Sequence, residues 1–116
     1  MEELKILQKV YDMILYGTIC LRQFPKSEKY ALANDIKESM YTMLRLIIAA
    51  NKKYYKKTTM QDIDVELETL RTLIRLASDK ELQLLPFRKY ENWSKMLSEI
   101  GKMLGGWIKT TNQKTE

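Results

Sequence analysis

Apolar residues return along this chain at gaps that alternate between three and four, the spacing that gathers side chains on one face of an α-helix. Over residues 2–22 the seam positions are Leu4, Leu7, Tyr11, Ile14, Thr18 and Leu21, and Gly17 does not break the rhythm. Phe24-Pro25-Lys26-Ser27-Glu28 reads as a turn, with Pro25 at or near the start of the next helix and Ser27 as a candidate cap. The second helix is expected over 26–55, with Leu32, Ile36, Ser39, Met43, Ile47 and Ala50 on its seam. A further row of Tyr41, Leu44 and Ile48 widens its apolar face. Thr59, with Asp62 three residues on, marks the start of a third helix over 60–81. Its seam is Ile63, Leu67, Leu70, Ile74 and Ala77, flanked by Leu73 and Leu76. Ser78 to Leu85 reads as a turn ended by Pro86. A fourth helix over 87–111 follows, with Tyr90, Trp93, Leu97, Ile100, Leu104 and Trp107 in register. Residues 112–116 are polar and expected to fray.

Long helices joined by short turns make antiparallel neighbours, so the expected fold is all-α. It is an up-down-up-down antiparallel four-helix bundle forming a single domain over 1–116. The apolar faces of the second and third helices are wider than one bundle core requires, which implies a further interface and hence a homo-oligomer. No apolar run reaches the roughly eighteen residues of a spanning helix. Met1-Glu-Glu also lacks the basic start of a signal peptide. The expected location is cytoplasmic, with no membrane partner.

Composition narrows the chemistry. The chain has one cysteine and no histidine. Zinc sites, Ser-His and Cys-His nucleophile pairs and Glu-x-x-His di-iron ligand sets are therefore excluded. Cys20 lies among apolar residues and reads as a small core residue. No cofactor is implied, and nothing points to an enzyme. The formal net charge is +5; setting aside the four negative charges of Asp62, Asp64, Glu66 and Glu68 leaves +9. Those acids fall on the first turns of the third expected helix, where the macrodipole favours carboxylates. The remaining positive charge suits a nucleic acid or an acidic protein.

Three basic groups are candidates for that contact. Lys52-Lys53-Tyr54-Tyr55-Lys56-Lys57 closes the second helix. Its lysines suit a helix C-terminus, and its interleaved aromatics would also suit a phosphate backbone with stacked bases. Arg71 and Arg75 are four residues apart and share a face. They either pair with Glu68 and Asp79 at the surface or together grip a phosphate or carboxylate. Arg88, Lys95, Lys102 and Lys109 recur every seven residues and form one stripe. In the same helix Gly101 and Gly105 share a face, which suits a close helix crossing with Trp107 filling the space beside them.

Three segments carry a family likeness: Phe24-Pro-Lys-Ser-Glu-Lys-Tyr-Ala-Leu32, Leu70-Arg-Thr-Leu-Ile-Arg-Leu-Ala77 and Glu99-Ile-Gly-Lys-Met-Leu-Gly-Gly-Trp-Ile-Lys109. On these the chain resembles the accessory variability determinant (Avd) proteins of diversity-generating retroelements. More distantly it is similar to the four-helix-bundle proteins encoded by intervening sequences in bacterial 23S ribosomal RNA genes. Phe24-Pro-Lys is common to both, whereas the Gly-Gly-Trp-Ile ending looks more like the retroelement branch. The resemblance implies a barrel-shaped homopentamer with a basic surface. It implies binding to the retroelement's reverse transcriptase and to template RNA or cDNA, in support of the mutagenic cDNA synthesis of mutagenic retrohoming. It also implies that the chain is not itself the polymerase. The family's Leu-Arg-x-x-x-Arg pattern falls on Arg71 and Arg75. A ribosome-associated oligomer without a polymerase partner is the alternative expectation.

Overall fold

The computed structural model describes the backbone of residues 2–115 and the side chains of residues 4–112. Four long helices and one single-turn helix make up most of it, and no strand occurs among the described residues. The first long helix, α1 (Glu2–Leu21), is apolar on two sides. The inward set is Ile6, Val10, Met13, Gly17 and Cys20, all buried. The seam expected from spacing faces the other way. Leu4 and Tyr11 are each 56% exposed, Leu7, Ile14 and Thr18 are half-buried, and Leu21 alone of that row is buried. Both rows obey helical spacing, so periodicity has no means of choosing between them. Packing chooses the row containing Gly17, because a Cβ there would lie 2.5 Å from Trp93 Cζ2 and 2.7 Å from Met40 Sδ. Trp93 is wholly buried in that notch and meets Tyr16 edge to face at 6.4 Å.

The helix expected over 26–55 is two pieces. A single turn, α2 (Lys26–Lys29), ends before Ala31, whose φ of −121° and ψ of −108° leave helical geometry, and α3 (Leu32–Lys52) follows. Ser27 does not cap: the N-cap position of α2 is Pro25, with no side-chain cap bond. In α3 the expected seam residues Ile36, Ser39, Met43, Ile47 and Ala50 are buried, joined by Ala33 and Met40. Tyr41 and Leu44 of the second row are half-buried and Ile48 is exposed.

The next helix, α4 (Lys57–Ser78), starts earlier than expected and has Lys56 at its N-cap. Thr59 is not the cap. It is buried, and its hydroxyl accepts a hydrogen bond from Lys53 Nζ at 3.0 Å. Ile63, Leu67, Leu70, Ile74 and Ala77 are buried as expected. The dipole account of the acidic block fails, because the first turn holds no acid and the effect fades beyond one turn. Glu66 instead accepts a 2.6 Å bond from Ser39 Oγ across the α3–α4 contact, while Asp62, Asp64 and Glu68 face solvent.

Beyond α4 the chain turns tightly. Leu84 and Leu85 both donate their backbone N–H to the Ala77 carbonyl at 3.0 Å, Gln83 takes a left-handed φ of 50°, and Leu85 is buried. The last helix, α5 (Phe87–Thr115), continues through the expected tail, and Glu116 lies outside the described residues. Trp93, Leu97, Ile100, Leu104 and Trp107 line its buried side.

Each long helix packs on two others: α1 on α3 and α5, and α4 on α3 and α5. With short connections this ring of neighbours is an up-down-up-down bundle, 49 × 23 × 21 Å overall. The two glycines of α5 have different surroundings. At Gly101 a Cβ would lie 2.7 Å from Arg71 Nη2 and 3.4 Å from Leu67 Cδ2, so α4 lies close there. At Gly105 it would meet nothing within 4 Å. Trp107 is buried on the core side, about 200° around the helix from Gly105. It therefore does not fill the space beside the glycines.

Candidate nucleic-acid and partner interface

Arg88, Lys95, Lys102 and Lys109 are all exposed on the outer side of α5, away from its buried seam. Two acids interleave with them at helical spacing. Glu91 is three residues beyond Arg88 and four before Lys95, so it shares that face and interrupts the stripe. Glu99 is drawn toward α1, where its Oε2 accepts a 2.8 Å bond from Lys9 Nζ. Lys9 holds the Glu99 carboxyl below the ordinary carboxylate range, with Lys102 adding to the effect. In return Glu99 raises the Lys9 ammonium above its ordinary value.

Arg71 and Arg75 have different surroundings despite their spacing. Arg71 is half-buried, its guanidinium lying in the notch that Gly101 leaves, and its Nη2 donates to the Leu97 carbonyl at 3.4 Å. It thereby latches α4 to α5. The same open groove takes in Lys102, Ser98 and the carboxylates of Asp64 and Glu68. Arg75 is exposed. Among the described residues neither arginine pairs with Glu68 or Asp79, the first of the two readings that spacing left open. The structure thus brings Arg71 and Lys102 into one groove on the α4–α5 side of the bundle.

Lys52, Lys53, Lys56 and Lys57 lie at the end of the bundle where α3 passes into α4. Lys56 Nζ donates to the carbonyls of Ala50 at 2.6 Å and Lys53 at 2.7 Å, closing the last turn of α3. With the Lys53–Thr59 bond, this gives two of the lysines a structural task. Lys52 and Lys57 are exposed, as are Tyr54 and Tyr55, whose rings meet edge to face at 4.8 Å.

No cluster of three His, Cys, Asp or Glu side chains suited to a metal ion occurs among the described residues. Cys20 is buried, and desolvation pushes its thiol above the ordinary value, so the nucleophilic thiolate is disfavoured. Among the described residues no helix is long and apolar enough to cross a membrane.

The bAvd-like family model matches residues 4–111. The chain belongs to the bAvd-like family. The family is an accessory, non-catalytic kind of protein. Among curated proteins none matches the chain.

Two features of this bAvd-like chain escape sequence reasoning. One is the outward row of α1, where Leu4, Tyr11, Leu15 and Ile19 are each more than half exposed. Gaps of seven, four and four place them on one face. Its signal was the presence of two apolar rows in one short helix. The other is Gly17, which reads as a weak spot in a helix yet makes room for Trp93.

Proposed function

We propose that this chain is a non-catalytic accessory protein of a diversity-generating retroelement. It binds the reverse transcriptase and the template RNA or cDNA through its basic surface and supports mutagenic cDNA synthesis. Family membership over residues 4–111 carries the reading. The exposed stripe of Arg88, Lys95, Lys102 and Lys109 supports it, as do Arg71 in the α4–α5 groove, exposed Arg75, and the exposed Lys52 and Lys57 at the α3–α4 turn. The outward apolar row of α1 suits self-association, and the assembly proposed is a barrel-shaped homopentamer in the cytoplasm.

The test is a pull-down of the tagged protein from its host, with and without nuclease, read by mass spectrometry. A reverse transcriptase retained after nuclease supports a direct scaffold. Ribosomal proteins, or no partner, overturn it in favour of a ribosome-associated oligomer. Arg75→Ala is expected to weaken polymerase or RNA capture with helical circular dichroism and native mass unchanged. Arg71→Ala is read separately, because Arg71 also holds α5. RNA binding should weaken steeply with salt as neutralised phosphates release counterions.

A further inference from the structure

The α3–α4 turn holds a feature that helix capping does not account for. Lys56 and Lys53 bond to Ala50, Lys53 and Thr59 and so brace the short connection between the helices. On that braced turn Tyr54 and Tyr55 are 87% and 83% exposed. Their ring centroids are 4.8 Å apart with planes at 82°. A tyrosine ring ordinarily buries much of its apolar body; here two successive rings touch little but each other. In an edge-to-face pair the ring that offers its edge keeps both faces open, and the other keeps one. Lys52 and Lys57 flank the pair, both exposed, and among the described residues neither ammonium forms a hydrogen bond or ion pair. The sequence alone left the run divided between helix capping and contact with stacked bases. The structure assigns capping to Lys56 and leaves the tyrosines with no task inside the protomer.

We propose that the Tyr54–Tyr55 pair is a stacking platform for unpaired bases of single-stranded nucleic acid, with Lys52 and Lys57 contacting the flanking phosphates. The inference rests on the nucleic-acid part of the proposed function and names where and how the strand is held. Base–aromatic stacking needs only an accessible ring face and a base that is free to unstack. A duplex keeps its bases stacked on each other and offers the platform little, so the surface selects single strands. An acidic peptide would be attracted by the lysines, but rings this exposed line no groove to enclose its side chains. The chemistry favours a planar base.

The experiment measures fluorescence anisotropy of a labelled oligouridylate and of a labelled RNA duplex across a salt series, using the full chain. Tyr54→Ala with Tyr55→Ala should weaken oligouridylate binding by about tenfold for each ring lost, leaving duplex affinity and the salt slope unchanged. Tyr54→Phe with Tyr55→Phe should bind as the parent does, because the ring and not the hydroxyl carries the contact. Lys52→Gln with Lys57→Gln should reduce the magnitude of the single-strand salt slope by about 1.4, twice the 0.7 of one phosphate. If the alanine pair binds oligouridylate as tightly as a binding-competent parent, the platform is overturned and the broader reading stands. An equal loss on single strand and duplex also overturns it, as does tighter binding of a labelled polyglutamate through the same tyrosines. A parent that binds neither RNA at low salt overturns the platform and the nucleic-acid reading together.

Discussion

At the scale of the residue, two glycines make opposite predictions. Gly17 faces Trp93 and Met40 with no space for a methyl group. Gly17→Ala should therefore lower stability by about 1–3 kcal/mol, the usual consequence of overfilling a packed core. Gly105 opens onto empty space, so Gly105→Ala should raise protomer stability by up to about 1 kcal/mol through helix propensity alone. Urea denaturation of the two variants checks both signs, and a common sign would contradict the packing described. Gly101 is intermediate, because the atom nearest its absent Cβ is the far end of the Arg71 side chain. A methyl group there displaces the guanidinium toward solvent instead of disturbing the core.

The elements are held in place by a few specific contacts on top of apolar burial. Lys56 donates charge-assisted bonds to two carbonyls at the end of α3. Lys56→Met should cost about 1 kcal/mol, whereas Lys57→Met, at an exposed and unbonded position, should be close to neutral in the same denaturation assay. Lys9 and Glu99 tie α1 to α5 through a solvent-exposed pair. Glu99 is held below its ordinary value, so its contribution is present above the ordinary carboxylate range and disappears as pH falls through the lowered value. Lys9 is raised, so its contribution is complete below the ordinary lysine value and disappears as pH climbs through the raised one. Between those limits the pair should be indifferent to pH. NMR titration of the Glu99 carboxyl provides the check: Lys9→Met should return it upward toward the ordinary value, and an unchanged midpoint would show that the bond is not formed in solution.

For the whole molecule, the outer surface is unevenly divided. The outer side of α1 is apolar and the outer side of α5 is largely basic. An apolar row of this kind on a bundle helix is the usual mark of an interface. Leu15→Glu with Ile19→Glu places two carboxylates in that row at positions already more than half exposed. The folded protomer should tolerate them, keeping its helical signal, while the native mass falls to that of one chain by light scattering. A native mass that stays oligomeric would move the self-association surface away from α1.

How much of this was legible depended on whether a helix offered one apolar face or two. In α3, α4 and α5 one inward seam prevails over any flanking row. Ile36, Ser39, Met43, Ile47 and Ala50, Ile63, Leu67, Leu70, Ile74 and Ala77, and Trp93, Leu97, Ile100, Leu104 and Trp107 are buried where spacing places them, with Leu32 and Tyr90 at the seam ends half-buried. Spacing also determines which side of α5 carries Arg88, Lys95, Lys102 and Lys109, since a helix once seated presents its remaining side to solvent. In α1 two rows of equal periodicity compete, and only the meeting of Gly17 with Trp93, distant in sequence, decides which turns inward. The same holds for Arg71 over Gly101 and Lys56 on the end of α3. Each is a contact across a helix boundary or a turn. Hydrophobic periodicity is a local property of one helix and is written in the chain. Which side chains meet when helices pack is set by their mutual register and shape, and those exist only in the folded bundle.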